Sequence, residues 1–306
     1  MPYDLSKPLV IGISSRALFN LEQENKIFEE QGVEAYEAYQ VAHENEILQK
    51  GAAFQLIKAF LKLNNTGLGR LVEVIIMSRN NANTCLRIFN SIQYYGLDIT
   101  RATLTSGAEI APYLKAFKTD LFLSANSVDV QSAINDGIAA GLILTGAAHA
   151  DAKQKIDQIR IAFDGDAVLF SGESEKIFQK NGIQAFEEHE KANANTPMAK
   201  GPFANFLTKL SYVQQLFKEK DIQPIRTALV TSRNAPAHER AVKTLRNWGG
   251  VSINEAFFLG GVSKTEVLAA FGAHIFFDDQ DIHTEPASTV VPAATVPYRD
   301  GDNPKE

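Results

Sequence analysis

Short, uninterrupted apolar runs recur along this chain, and helical spacing fills the stretches between them. VIGI (10–13), VEVIIM (72–77), RATL (101–104) and DLFL (120–123) read as strands, as do RIAF (160–163), TALVT (227–231), EAFF (255–258) and HIFF (274–277). PYLKAF (112–117) and KTEVLAAF (264–271) read as helices. Strands that are apolar throughout and alternate with helices predict parallel sheets covered on both faces. The fold class expected is therefore α/β, with ligands held beyond the carboxyl ends of the strands.

The pattern occurs twice. KIFEEQGVEAYE (26–37) lies over KIFQKNGIQAFE (176–187), and six of those twelve positions are identical. Further on, VIIMSRN (74–80) answers ALVTSRN (228–234), and AFKTDLFLSA (116–125) answers AFGAHIFFDD (270–279). A repeat this long is a structural unit. Two Rossmann-type units are expected, residues 1–150 and 157–306, joined through a polar helical stretch, ADAKQKIDQ. Whether they share one sheet or merely dock stays open at this level.

The copies act as controls for each other. Asp164 faces Ser14, Asp166 faces Arg16, Thr231 faces Met77, Lys264 faces Ile110, Asp278 faces Ser124 and Asp279 faces Ala125. The scaffold persists in both, and the chemically loaded positions are confined to the second. Four carboxylates converging at strand tips would repel strongly: two unit charges 4 Å apart cost roughly 4 kcal/mol at an effective dielectric of 20. Lys264 supplies one balancing charge, and a hard divalent cation would supply the rest. With oxygen donors and no His/Cys set nearby, magnesium fits better than zinc.

Composition narrows the partners. The 306 residues carry a net charge of −6 and no Lys/Arg stripe, which argues against nucleic acid. No apolar run reaches membrane-spanning length, and the single cysteine, Cys85, suits a reducing compartment, so a cytoplasmic location and no membrane partner are expected.

The ordered elements DGDAV (164–168), Thr231 closing ALVT, Lys264 in GGVSK and Asp278-Asp279 in HIFFDD resemble the haloacid dehalogenase-like phosphotransferases. The longer runs IAFDGDAVLFSGESE, ALVTSRN and HIFFDDQDIH are similar to the cytosolic type I 5'-nucleotidases, and SSRALFNLE (14–22) extends the likeness into the first half. The resemblance implies a duplicated haloacid dehalogenase-like fold with a cap insertion, at 171–225. It also implies Mg²⁺-dependent hydrolysis of nucleoside 5'-monophosphates, AMP prominent among them.

Asp164 would be the nucleophile and Asp166 the general acid and base, with Thr231 and Lys264 completing the catalytic set. Metal would be held by Asp164, Asp166 (through its carbonyl), Asp278 and Asp279. Thr231, Ser232, Arg233, Lys264 and Phe170 are the candidates for substrate contact. Ser78-Arg79-Asn80 repeats the Ser232-Arg233-Asn234 triplet in the copy without acids, which favours a structural role for part of it. Alternatives are a phosphatase of another small phosphomonoester and a nucleotide-binding sensor without turnover. Arg16 and Arg79 could hold a nucleotide effector, although an inert first half kept for packing or for a homo-oligomer is preferred.

Overall fold

The computed structural model describes residues 3–145, 158–220 and 222–303. Ten strands form one sheet: β1 (Leu9–Ile13), β2 (Val72–Ser78), β3 (Arg101–Leu104), β4 (Leu121–Ser124) and β5 (Ala139–Ile143) from the first copy, and β6 (Ile159–Phe163), β7 (Ile225–Thr231), β8 (Glu255–Phe258), β9 (Ile275–Asp278) and β10 (Ala293–Thr295) from the second. The spatial order is β8-β7-β6-β9-β10-β5-β4-β1-β2-β3. Every neighbouring pair is parallel except β10 and β5, where Ala294 faces Ile143 and Thr295 faces Leu142 in antiparallel register. The open question is answered: the copies are fused edge to edge.

That one antiparallel seam has a geometric consequence. The strands of the second copy point their carboxyl ends to one edge of the sheet, and those of the first copy point to the other. The ligand crevices of the two copies therefore face opposite ways. Within each copy the chain winds outward from its first strand in one direction, then crosses back to its fourth. The reversal between β6 and β9 is a topological switch point, where side chains at adjacent strand tips flank an open crevice.

The helices recur at matching positions in the two copies and weld them together. Glu22–Ala42 and Glu173–Ala192 are each two antiparallel helical limbs rather than one rod. In a straight helix, residues sixteen apart lie about 24 Å apart, yet Ser174 Oγ donates to Glu190 Oε1 at 2.8 Å. The reversal occurs at Gly182 (φ 79°, ψ −178°), matched by Gly32 (φ 82°, ψ −175°) in the first copy, a region open essentially to glycine alone. Helix Ala204–Gln215 buries Phe206, Leu207 and Leu210 and reaches β1 of the other copy, while helix Phe54–Lys62 reaches β6. Lys209 on the former pairs with Asp120, just before β4, at 2.7 Å. Of the segment 171–225, the helical hairpin lies at the crevice and helix Ala204–Gln215 lies in the shared core.

The stripe Phe203, Phe206, Leu207 and Leu210 is core, with no member more than 1% exposed. The linker ADAKQKIDQ (150–158) falls outside the described residues apart from Gln158. Among the described residues, no helix is long and apolar enough to cross a membrane.

Candidate active site

β6 delivers Asp164 at its tip, and β9, its parallel neighbour across the switch point, delivers Asp278. The amide of Asp164 donates to the carbonyl of Phe277 at 2.8 Å, which fixes the two tips side by side. Lys264 is the first residue of helix Lys264–Phe271. Its ammonium donates to Asp164 Oδ1 and to Asp278 Oδ2, both at 2.6 Å. Asp164, Asp278 and Asp279 each offer an oxygen within 4.8 Å of the others. Thr231 closes β7, with its hydroxyl accepting from the amide of Arg233 at 3.3 Å.

Burial governs the electrostatics. It pushes the Asp164 carboxyl up to about 7, reinforced by Asp278 and Asp166 and opposed by Lys264. Asp278 is raised by burial against the pull of Lys264, and Asp279 is pushed well above the usual carboxylate range by burial and then by Asp164 and Asp278. Burial works against the charge of Lys264 too, but the two carboxylates outweigh it and hold the ammonium charged. Three carboxylates against one lysine leave a concentrated negative charge. An all-oxygen donor set of this kind suits a hard divalent cation, so the residues present fit Mg²⁺.

The turn after Asp164 departs from its counterpart. Residues Ser15–Leu18 form a regular helical turn capped by Ser14. In Gly165–Leu169 the turn is wider, with Asp166 extended (φ −72°, ψ 140°) and Ala167 left-handed (φ 60°). A non-glycine residue in that region stores roughly 1 kcal/mol or more, and the distortion occurs only where the acids are present.

Asp166 lies apart from the three-carboxylate cluster through its side chain, because Arg233 grips it with two bonds of 2.7 and 2.8 Å. Arg233 is 3% exposed. Ser232 is exposed at the strand tip. Phe170 is fully buried, its ring 5.7 Å from that of Trp248, so it belongs to the core and presents no open face to a ligand. His283 is half-buried near the site; burial, then Lys264, lowers its pKa and keeps the imidazole neutral.

Three residues at the site escaped the sequence reading. Tyr298 donates its hydroxyl to Asp279, although the ending YRDGDNPKE reads as a polar tail. Glu175 on the hairpin feels Asp166 and Asp164, which add to burial in raising its carboxyl. Glu190 pairs with Arg233 and Arg240. The signal for the two glutamates was present: in the alignment that lays residues 26–37 over 176–187, Glu175 faces Asn25 and Glu190 faces Gln40.

The crevice of the first copy is a cavity of about 120 Å³ whose lining includes Ser14, Arg16, Met77, Arg79 and Ser124. Its arginines are already matched: Arg16 makes two bonds of 2.8 Å to Glu22, and Arg79 pairs with Asp129 at 2.7 Å.

Human (Homo sapiens) cytosolic 5'-nucleotidase 1B is 41% identical over 293 residues, a stretch covering 91% of this chain and 47% of the relative. The chain thus spans about half the length of the curated relative it matches. No solved structure matches. The family described as 5'-nucleotidase matches residues 1–303, through both copies and the acid-lined crevice alike, and the chain belongs to that family.

Proposed function

We propose that this protein hydrolyses nucleoside 5'-monophosphates, AMP among them, to nucleoside and phosphate by way of an aspartyl-phosphate on Asp164. The observation that carries the reading is the clamp of Lys264 on Asp164 and Asp278 at 2.6 Å, with Asp279 alongside, at the switch point of a parallel sheet. Mg²⁺ held by Asp164, Asp278 and Asp279 would neutralise the phosphoryl oxygens and orient them for in-line attack. Asp164 attacks phosphorus as the bond to the ester oxygen breaks, and Asp166 delivers a proton to that oxygen. Asp166 then takes a proton from the water that opens the aspartyl-phosphate. Lys264 keeps the nucleophile oriented and adds positive charge beside the phosphoryl group, and Thr231 offers a hydroxyl at the strand tip. The helical hairpin Glu173–Ala192 forms the cap over the crevice.

Phosphate release measured with and without Mg²⁺ across AMP, IMP, dAMP, UMP and sugar phosphates tests the reading. Turnover confined to nucleoside monophosphates supports it. Preference for sugar phosphates would make the protein another phosphomonoesterase, and tight AMP binding without turnover would make it a sensor. Asp164→Asn is expected to abolish turnover and leave the fold intact; near-normal activity in that variant removes Asp164 as nucleophile.

A further inference from the structure

Arg233, two residues beyond Thr231, is the side chain that a phosphate would be expected to recruit, yet its donors are spent. A guanidinium has five N–H groups. Nε donates to Asp166 Oδ2 at 2.8 Å; Nη2 donates to Asp166 Oδ1 at 2.7 Å and contacts Met198 Sδ at 3.2 Å. Nη1 donates to Glu190 Oε2 and to the carbonyl of Ala237. The side chain is 1% exposed, its guanidinium carbon 5.3 Å from the centre of the Phe186 ring. No donor remains for a substrate.

Glu190 extends the chain of contacts. It sits on the second limb of the hairpin, accepts from Ser174 on the first limb at 2.8 Å, and accepts from Arg240 at 2.9 Å. Asp166, Arg233, Glu190 and the hairpin are thus one bonded unit. The first copy keeps the arginine but does not tie it to the motif turn or to the hairpin. There Arg79 turns to Asp129, whose counterpart is His283, while Gln40 stands in the place of Glu190 and Glu24 in the place of Ser174, pairing with Arg87. The relay exists only in the copy that has a carboxylate at the position of Asp166.

Resting on the phosphatase reading above, we propose that Arg233 and Glu190 are positioning residues. The two-pronged grip of Arg233 aims the Asp166 carboxyl group at the leaving oxygen, and Glu190 ties that aim to the closure of the hairpin. A bidentate guanidinium fixes direction as well as distance, which a lysine cannot do.

The test is leaving-group dependence in Arg233→Lys and Glu190→Gln, compared with wild type on AMP and on p-nitrophenyl phosphate. The ribose oxygen of AMP departs only if protonated, whereas p-nitrophenolate departs as an anion. The expected result is a fall in kcat/KM on AMP of roughly 10²-fold, the scale of general acid catalysis, with KM not raised and the loss of kcat/KM on the aryl ester under about tenfold. The ratio kcat/KM reports the step that expels the leaving group and leaves out the later hydrolysis of the aspartyl-phosphate, in which Asp166 serves both substrates alike. Mg²⁺ affinity by calorimetry should stay at the wild-type value. Equal losses on both substrates would overturn the proposal, as would a rise in KM as the main effect, which would make Arg233 a phosphate ligand. If Arg233→Lys does not fold, the substrate ratio in Glu190→Gln, which keeps the side-chain shape, decides the matter. Wild-type protein inactive on both esters would overturn the phosphatase reading and this proposal together; active wild type with equal losses overturns the proposal alone.

Discussion

Replacing Asp279 by Asn should stabilise the metal-free protein while abolishing its response to metal. Lys264 is bonded to Asp164 and Asp278, so Asp279 meets their charge with the Tyr298 hydroxyl as its hydrogen-bond donor. At the 4.8 Å limit of the cluster, each pair of ionised carboxylates repels by about 3.5 kcal/mol at an effective dielectric of 20. The protein can escape by protonating Asp279, and at pH 7 that costs about 4 kcal/mol from an ordinary carboxyl pKa. The cheaper route caps the penalty at about 4 kcal/mol. An Asn oxygen still accepts from Tyr298 as a protonated Asp279 would, but desolvating the amide N–H groups offsets about 1–2 kcal/mol of that gain. Asp279→Asn should therefore raise the unfolding free energy in EDTA by about 2 kcal/mol. Urea denaturation in EDTA and in saturating Mg²⁺ measures it. At one hundred times its Kd, Mg²⁺ should stabilise wild type by about 2.7 kcal/mol, and the variant should gain little, so the order of stability reverses between the two buffers. A variant less stable than wild type in EDTA, or one that gains as much from Mg²⁺, would refute the electrostatic account.

Other parts of the molecule give independent tests. His274 is 2% exposed, its Nδ1 accepts from the amide of Arg160 at 3.1 Å, and burial, with Arg160, lowers its pKa to about 4. The unfolded chain binds the proton near pH 6.5, so stability present above that pH is lost as pH falls towards 4, by about 3 kcal/mol. His274→Asn, which keeps an acceptor, should flatten that limb of the pH–stability curve, and an unchanged slope refutes it. A methyl group on Gly141 would lie 2.9 Å from Ala294 Cβ and 3.0 Å from Phe277 Cε1 at the seam between copies. Gly141→Ala should cost about 1–3 kcal/mol in urea unfolding, and a neutral result would place the seam elsewhere. Gly182→Ala and Gly32→Ala should each cost about 1–3 kcal/mol, but only Gly182→Ala, at the hairpin that reaches Asp166, should lower phosphate release. Equal effects on turnover would detach the hairpin from the chemistry.

The duplication made much of this legible. Aligning the copies exposed the acids and Lys264, because a shared scaffold leaves only chemistry to differ. What the alignment hid has physical reasons. β5 and β10 escaped notice since AAG in one and AAT in the other lack the bulk that marks a strand, and Pro292 and Pro297 bracket the latter. Their antiparallel seam, which sends the two crevices to opposite edges, depends on pairing Ala294 with Ile143 and Thr295 with Leu142, far apart in the chain, and no local pattern carries it. Phe170 reads as a substrate contact from its place near the motif, but the backbone bridge to Lys200 draws it inward. Arg233 looked like a phosphate ligand because neighbours in sequence at a strand tip suggest neighbours in the site. Its actual partners come from the hairpin and the motif turn, and only the folded chain shows that its donors are full.

The opposite polarity of the copies also bears on why the half without acids persists. β10 flanks β9, the strand that ends in Asp278, and without β5 it would be an open edge next to the reactive crevice. The first copy reaches further than the seam. Gln131, on helix Ser127–Asn135, donates to the carbonyl of Tyr298 at 2.8 Å, and Asn135 exchanges two hydrogen bonds with Asp300, at 2.7 and 3.0 Å. The segment so held carries the hydroxyl that meets Asp279. A helix of the first copy thus sets the position of one carboxylate in the second copy's cluster. Selection on that carboxylate then acts on both copies, and the first can lack carboxylates at the positions facing Asp164, Asp166, Asp278 and Asp279 without becoming dispensable.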